Sequence, residues 1–237
     1  MIIVGNLKMN FSLEEMLIYE RKLRGSNLII CPSYPYLGIC SQEDYILCAQ
    51  NVSEYDNGPY TGEVSASQLK SLNINYVLIG HSERRHTFME TQEVIDKKII
   101  KSLDNDLMVI YCIGETKEEK DERKTLEILE IQLKIFSKLN KEQMSKIIIG
   151  YEPVWAISDG VNPAPTPSNE EIDEVNKFIK NYIKKAYNVD INVLYGGSVN
   201  LTNVYELLKV NTHDGFLIGG ASKKIDDLIK ISEICKQ

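Results

Sequence analysis

The sequence has little of what marks several common classes of protein. It holds one tryptophan and three histidines, and none of its five cysteines forms a Cys-x-x-Cys pair. The cysteines are Cys31, Cys40, Cys48, Cys112 and Cys235. An odd number at these spacings indicates neither a disulfide framework nor a zinc site. We expect the thiols to pack as small apolar side chains.

Excess positive charge and long apolar runs are also missing. The 237 residues include 27 Lys and Arg against 34 Asp and Glu, which gives a net charge of −7. Because nucleic-acid binding needs a basic face, this balance argues against it. No apolar run approaches the ~20 residues of a membrane helix, and the first ten residues lack the pattern of a signal peptide. We expect a cytoplasmic protein that binds neither nucleic acid nor membrane.

What the sequence does contain is a regular alternation of short apolar runs and segments with helical period. The runs cover residues 2–4, 28–31, 45–49, 76–79, 108–112, 147–149, 191–194 and 215–218. The helical segments cover 13–23, 67–72, 91–103, 125–139, 170–187, 201–208 and 225–234, and Ser168 with Glu171 forms a capping box before the fifth. No Ser/Gly-rich linker interrupts the series. The alternation predicts one parallel β/α domain over residues 1–237.

Two architectures fit this alternation, an eight-fold barrel and an open doubly wound sheet. No Gly-x-Gly-x-x-Gly follows the first run, which makes dinucleotide binding less favoured. The length and the count of eight strands favour an α/β fold of the eight-stranded parallel β/α-barrel type.

Polar residues that follow the apolar runs are the candidates for a functional site, because barrel enzymes place their chemistry at the carboxyl ends of the strands. Asn6 and Lys8 follow the first run, two residues apart, so on an extended segment both side chains point the same way. His81 follows the fourth run. Glu152 follows the sixth, and Pro153 directly after it restricts its backbone to extended geometry.

Glycine-containing turns follow the seventh and eighth runs. They read Gly196-Gly197-Ser198 and Gly219-Gly220, and we expect each at the start of a helix. Backbone N–H groups at such a start favour an anion, and phosphate sites of barrels are common after strands seven and eight. The sequence therefore predicts a phosphate site there.

Each of these residues alone has an ordinary structural explanation. A single Lys8 is usually a solvated charge, a histidine such as His81 is more often structural, and a glutamate that ends a strand is usually an exposed cap. His86 and His213 have no supporting neighbours, so we interpret both as structural. The joint placement predicts a phosphate-binding barrel equipped for acid–base chemistry.

Several segments, in order from the first strand to the last helix, resemble the triosephosphate isomerase family. They are GNLKMN at 5–10, YTGE at 60–63, IGHSERR at 79–85, CIGET at 112–116, YEPVWAI at 151–157, YGGSV at 195–199 and IGGAS at 218–222. The resemblance implies interconversion of dihydroxyacetone phosphate and D-glyceraldehyde 3-phosphate, in glycolysis and gluconeogenesis, by proton transfer through an enediolate. It implies no cofactor and no metal.

The resemblance also implies roles for individual residues. Glu152 is the base, and His81 is a neutral imidazole that polarises the carbonyl beside a helix that begins near Ser82. Lys8 stabilises the enediolate oxygen and the phosphate, and Asn6 orients the substrate. Glu83 is expected to pair with Lys8, and the alternative is an ordinary surface salt bridge to Arg84 or Arg85. The phosphate contacts are expected at Ser158, Ser198, Gly219 and Gly220.

Two further features follow from the same resemblance. The loop from Gln50 to Ser65 inserts into a second copy of the chain, so that Thr61 lies near the partner's Asn6 and a homodimer forms. From the residues alone, the loop could equally be a surface excursion. Residues 154–160 form a flap that closes over the substrate and excludes water.

The flap departs from the family pattern, which has Gly-Thr-Gly-Lys-Thr-Ala after the isoleucine. This chain has SDGVNPAP at 158–165, with Ser158-Asp159 in place of Gly-Thr and with Pro163 and Pro165 near the trailing hinge. We expect slower or less complete closure. The departure leaves room for another substrate, a four-carbon sugar phosphate such as erythrulose phosphate. A phosphate-binding barrel without turnover is a separate alternative, and Asn6, Lys8, His81 and Glu152 argue against it because a binding protein needs no base.

Overall fold

The computed structural model describes residues 1–23, 25–40, 45–157 and 164–236, and it contains a closed barrel of eight parallel strands. Each strand pairs with the next along the chain, and β8 pairs back with β1. The strands are β1 Ile2–Asn6, β2 Ile29–Cys31, β3 Ile46–Ala49, β4 Tyr76–Ile79, β5 Met108–Ile113, β6 Ile147–Tyr151, β7 Asn192–Tyr195 and β8 Gly215–Ile218. The predicted β/α barrel is confirmed.

Helices surround the barrel and connect its strands. They are α1 Leu13–Leu23, α2 Tyr34–Leu37, α3 Ala66–Ser71, α4 Ser82–His86, α5 Gln92–Asp104, α6 Lys117–Asp121, α7 Thr125–Leu133, α8 Lys141–Ser145, α9 Asn169–Tyr187, α10 Val204–Leu207 and α11 Ile225–Ile234. Short 3₁₀ segments cover Lys134–Lys138, Val154–Ala156 and Gly220–Lys223. In the part of the chain that is described, no helix is both long and apolar enough to cross a lipid bilayer.

The predicted and observed elements differ mainly at their ends. The run predicted at 147–149 continues as β6 through Tyr151, because β5 offers it hydrogen-bonding partners as far as Ile113. The helix predicted at 125–139 changes to 3₁₀ geometry after Leu133. The predicted capping box is confirmed, since the Ser168 hydroxyl accepts from the amide of Glu171 and the Glu171 carboxylate accepts from that of Ser168.

Side chains along each strand alternate between the inside of the barrel and the helical layer, as the two-residue period of a strand requires. The inner cluster consists of Val4, Ile29, Cys31, Cys48, Leu78, Ile110, Cys112, Ile148, Leu194 and Leu217. Asn6 follows Val4 by two residues and Glu152 follows Ile148 by four, so both continue the inward-facing rows. This alternation brings polar groups to the carboxyl end of a barrel that is otherwise filled with apolar side chains.

His213 lies at the opposite, amino-terminal end of the barrel, just before β8. It is buried, its ring centroid is 4.7 Å from that of Phe216, and neither ring nitrogen has a hydrogen-bond partner among the described residues. Burial lowers the pKa of His213 to about 4, an effect that nearby Asp214 opposes and Lys180 reinforces. The ring is therefore neutral in the folded chain, which agrees with the structural role predicted for it.

The neutral state of His213 makes the stability of the fold depend on pH. Because its folded pKa of about 4 is below its ordinary value of 6.5, the unfolded chain binds the proton more readily. We expect stability to be complete above pH 6.5 and to fall progressively toward pH 4, by roughly 2–3 kcal/mol from this residue. Urea unfolding of His213→Leu across this range should show a flatter profile than that of the exposed His86→Leu control. Equal slopes would remove His213 as the cause.

Candidate active site

The carboxyl ends of the strands open into a cavity of about 400 Å³. Its walls include Asn6, Lys8, His81, Glu152, Ser198, Gly219 and Gly220. These are all the predicted site residues except Ser158. Residues 158–163, which carry Ser158 and most of the predicted departures in the flap, lie outside the described residues; Pro165 is described and exposed.

Glu152 is the carboxylate at the base of this cavity, and it is only 3% exposed. Its backbone is held beside β5, since its amide donates to the carbonyl of Ile113 over 2.7 Å. One carboxylate oxygen accepts from the backbone N–H of Ser82 at 3.1 Å, and the other lies 3.2 Å from Nε2 of His81. The alternative of an exposed strand cap is therefore wrong. The Ser82 amide, which donates to it, and the neighbouring imidazole therefore flank a buried carboxylate in a defined position.

Gly196 gives the Glu152 side chain the room it occupies. A Cβ atom built at position 196 would lie 2.8 Å from Cγ of Glu152 and 3.2 Å from the carbonyl oxygen of Tyr151. The amide of Gly196 donates to that same carbonyl over 2.7 Å, which keeps the two segments together. A side chain at position 196 would displace the Glu152 carboxylate. Gly196 is therefore needed for the close approach of Glu152 as well as for the turn.

His81 caps the amino terminus of α4, as predicted for a helix that begins at Ser82. Its Nδ1 accepts the backbone N–H of Glu83 at 3.2 Å. A nitrogen that accepts a hydrogen bond carries a lone pair, so the ring is neutral and the proton is on Nε2, which faces Glu152. The Glu83 carboxylate at 3.7 Å from Nδ1 is then not an ion-pair partner.

Lys8 reaches the cavity from a left-handed backbone conformation, with φ of 51°. The extended geometry predicted for the segment from Asn6 to Lys8 is wrong, because the Asn6 side-chain oxygen accepts the amide of Lys8 at 3.0 Å and turns the chain. The ammonium group lies 2.7 Å from the Glu83 carboxylate, so the predicted pairing is confirmed. This ion pair aims a cation into the cavity.

The two glycine turns differ in structure. A 3₁₀ segment begins at Gly220, close to the prediction for the turn at 219–220. The turn at 196–198 does not open a helix, which is a correction to the sequence prediction: α10 begins at Val204. The amide of Ser198 donates to the carbonyl of Ala156 at 3.0 Å, so the turn is tied to the first residues of the flap.

Glu115, which lies two residues beyond the end of β5, holds the same part of the flap. Its carboxylate accepts from the indole N–H of Trp155 at 2.8 Å and from the hydroxyl of Tyr151 at 3.2 Å. Burial raises the pKa of Glu115, which the hydrogen bond from Trp155 partly offsets. Lys120 lies 3.4 Å from the centroid of the Trp155 ring. The start of the flap is therefore fixed to the barrel wall.

Sequence reasoning missed two residues that join the parts of the site. The side-chain amide of Gln50 donates to the carbonyls of Lys8 and Cys31, each at 2.8 Å. The buried hydroxyl of Ser222 lies 3.0 Å from the carbonyl oxygen of Asn6 and 2.6 Å from that of Gly219. Ser222 stands in a segment that supported the family resemblance, whereas no local pattern singles out Gln50.

Comparison with known proteins agrees with this geometry. The family model described as triosephosphate isomerase matches residues 1–235. The chain belongs to the triosephosphate isomerase family. It is 39% identical to the triosephosphate isomerase of Dictyostelium discoideum over 96% of this chain and 93% of that protein. It is 37% identical to the one of Mesomycoplasma hyorhinis over 99% and 98%, and 38% identical to that of Buchnera aphidicola over 98% and 97%.

Among the described residues, no group of three or more His, Cys, Asp or Glu side chains is placed to hold a metal ion. Burial, together with the nearby Glu152 carboxylate, raises the pKa of the Cys112 thiol well above its usual range. That thiol therefore stays protonated beside the carboxylate.

Proposed function

We propose that the chain interconverts dihydroxyacetone phosphate and D-glyceraldehyde 3-phosphate, and that it serves glycolysis and gluconeogenesis. The observation that carries this proposal is the convergence of Glu152, His81 and Lys8 on one cavity from three different strand ends. A carboxylate, a neutral imidazole and an ammonium group are what an enolisation needs: a base, a hydrogen-bond donor to the oxygen, and a positive charge beside it. Its relatives carry the name of this isomerase.

The proton path follows from the positions of these groups. Glu152 takes a proton from the carbon next to the carbonyl, and the electron pair of that C–H bond forms the double bond of an enediolate. The proton of the adjacent hydroxyl moves to the former carbonyl oxygen, with Nε2 of His81 as the group that hydrogen-bonds to both oxygens, and protonated Glu152 returns its proton to the neighbouring carbon, which gives the isomeric carbonyl compound. Substrate binding replaces the contact between Glu152 and Nε2 of His81, so that Nε2–H donates to the substrate oxygen instead.

Lys8 and the glycine turns hold the rest of the substrate. The ammonium of Lys8 offsets the negative charge of both the phosphate and the enediolate oxygen, although the chain as a whole is acidic. Asn6, whose side chain orients the turn to Lys8, contributes a second polar group. Backbone amides at Gly219 and Gly220 and the Ser198 turn contact the phosphate. A phosphate at Ser198 competes with the carbonyl of Ala156 for the same amide.

A coupled assay of the purified chain on each triose phosphate tests this function. We expect turnover in both directions, and a far lower kcat/KM on a four-carbon ketose phosphate. Faster turnover of the four-carbon substrate would transfer the proposal to that sugar. Tight binding of phosphoglycolate with no turnover of any of the three would leave a phosphate-binding barrel.

We also propose that the working form is a homodimer in the cytoplasm. Beside the active site is a groove of about 300 Å³ whose walls include Met9, Tyr34, Pro35 and Phe88. Met9 and Phe88 are 94% and 64% exposed in the single chain, which is unusual for large apolar side chains. The exposed loop at 55–63, which carries Thr61, is a protrusion suited to this groove in a second copy.

A charge placed in the groove tests the dimer. We expect the native chain to sediment at about twice its mass of 27.0 kDa, and Phe88→Asp to sediment as a monomer, because an unpaired carboxylate opposes burial in an apolar contact. Tyr205→Asp is the matched control, since Tyr205 is 59% exposed on α10 and outside the groove. A native monomer, or equal dissociation of both variants, would contradict this interface.

A further inference from the structure

We infer that Gln132, on the outer helix α7, is a positioning residue for the base Glu152. The inference rests on the proposed function and deepens it. Gln132 is buried and does not line the cavity, so it acts through the segment that connects it to the base. That segment is Gly114, the residue directly after the end of β5.

Gln132 clamps both backbone groups of Gly114. Its side-chain oxygen accepts the amide of Gly114 at 2.9 Å, and its side-chain nitrogen donates to the carbonyl of Gly114 at 3.0 Å. This reciprocal pair determines the orientation of the amide group, since only one assignment of oxygen and nitrogen satisfies both bonds. The hydroxyl of Tyr111 donates to the backbone carbonyl of Gln132 at 2.7 Å, which fixes this part of α7 to β5.

Gly114 in turn is in direct contact with the backbone of Glu152. A Cβ atom built at position 114 would lie 1.8 Å from the carbonyl oxygen of Glu152, so the two segments touch with no space between them. Hydrogen bonds flank this contact on both sides: Glu152 donates to the carbonyl of Ile113 at 2.7 Å, and Val154 donates to that of Glu115 at 3.0 Å.

The position of Gly114 therefore sets the position of the base. β5 ends at Ile113, so Gly114 lies beyond the strand ladder, and no backbone partner holds its N–H or C=O among the described residues. The Gln132 side chain supplies the two bonds that a continuing ladder would have supplied. Without it, the segment behind Glu152 can shift, and displacements of about 1 Å at a reacting group cost roughly 100-fold in rate.

Gln132→Met removes both hydrogen bonds while it keeps the length of the side chain. We expect kcat to fall by about 10- to 100-fold, with KM changed by no more than about twofold, because the base moves and the phosphate contacts do not. Asn176→Leu is the control, since Asn176 is a buried amide on α9 that hydrogen-bonds toward Thr212 at the other end of the barrel. It should lower the melting temperature without lowering kcat.

Gln132→Glu provides a test that does not depend on how well the methionine variant folds. A protonated carboxyl has the same donor and acceptor pattern as the amide, whereas a carboxylate cannot donate to the carbonyl of Gly114. Since burial favours the protonated form, the ratio of kcat in this variant to that of the native chain should rise as the pH falls from about 9 to about 6. A loss of stability alone does not produce this rescue.

The results separate the inference from the proposed function. A native chain without turnover on the triose phosphates removes the function, and hydrogen exchange at the Gly114 amide then decides the clamp: faster exchange in Gln132→Met than in the native chain supports it, and equal exchange overturns it. In an active chain, the positioning role is overturned if Gln132→Met keeps the native kcat or changes only KM. It is also overturned if the ratio of kcat in Gln132→Glu to that of the native chain does not change with pH.

Discussion

Glu152→Asp is expected to lower kcat by roughly 10²- to 10⁴-fold, the range that a positioned general base contributes. The aspartate is one methylene shorter, so its carboxylate withdraws from the reacting carbon, from the Ser82 amide that donates to it and from the nearby Nε2 of His81. The phosphate contacts proposed at Ser198, Gly219 and Gly220 follow β7 and β8, so KM and the affinity for phosphoglycolate should change little. Initial rates in both directions and calorimetric titration with phosphoglycolate measure the two effects.

The control for this substitution is Glu20→Asp. Glu20 is also a buried glutamate, it accepts from the hydroxyl of Tyr45, and it lies on α1 away from the cavity. Its shortening should cost stability without a comparable loss of turnover. If Glu152→Asp kept native kcat, the carboxylate would not be the base and the proton path would have to be redrawn.

Lys8→Met is expected to lower kcat/KM by about 10³-fold or more, through both constants. In the proposed mechanism the ammonium faces the phosphate in the ground state and the enediolate oxygen in the transition state, and removal of one such donor commonly costs 10²- to 10³-fold in kcat. The Glu83 carboxylate that remains is 47% exposed, so water can solvate it and the fold should survive. Steady-state kinetics at several salt concentrations are the measurement.

Lys22→Met is the matched control for Lys8→Met. Lys22 also forms an ion pair, to Asp226 at 2.8 Å, but on the exposed surface. Exposed pairs contribute little to stability, so this variant should retain native kinetics. The native chain should bind phosphoglycolate less tightly as salt rises, and Lys8→Met should lose most of this dependence. An effect on KM alone would restrict Lys8 to phosphate binding.

The meeting of the site residues at one end of the barrel could be predicted because the same rule applies to every strand. Apolar runs such as 76–79 and 215–218 coincide with strands, and in a barrel every residue that follows a strand meets the others at one end. The placement of Asn6, His81 and Glu152 at this end could be predicted without knowledge of their contacts. The pairing of Lys8 with Glu83 came from the resemblance, since 75 residues separate the two in the chain.

The rest of the site depends on contacts that no local pattern encodes. The turn to Lys8 follows from a side chain of Asn6 that bonds to the backbone two residues later, which overrides the extended geometry that the apolar run suggests. Gln132 looks like an ordinary polar residue near a helix end, and its importance is visible only when Gly114 is seen beside it. The path of the chain at 196–198 is likewise set by Ala156.

The seam between β1 and β8 has a consequence for how the chain is made. Ile2, at the start of β1, pairs with Gly215, so β1 is synthesised well before its partner β8, and the barrel closes only when β8 is available. Until then β1 presents an unpaired edge that can take up a strand from another nascent chain. Premature termination anywhere before residue 215 should therefore yield aggregating products rather than smaller folded ones.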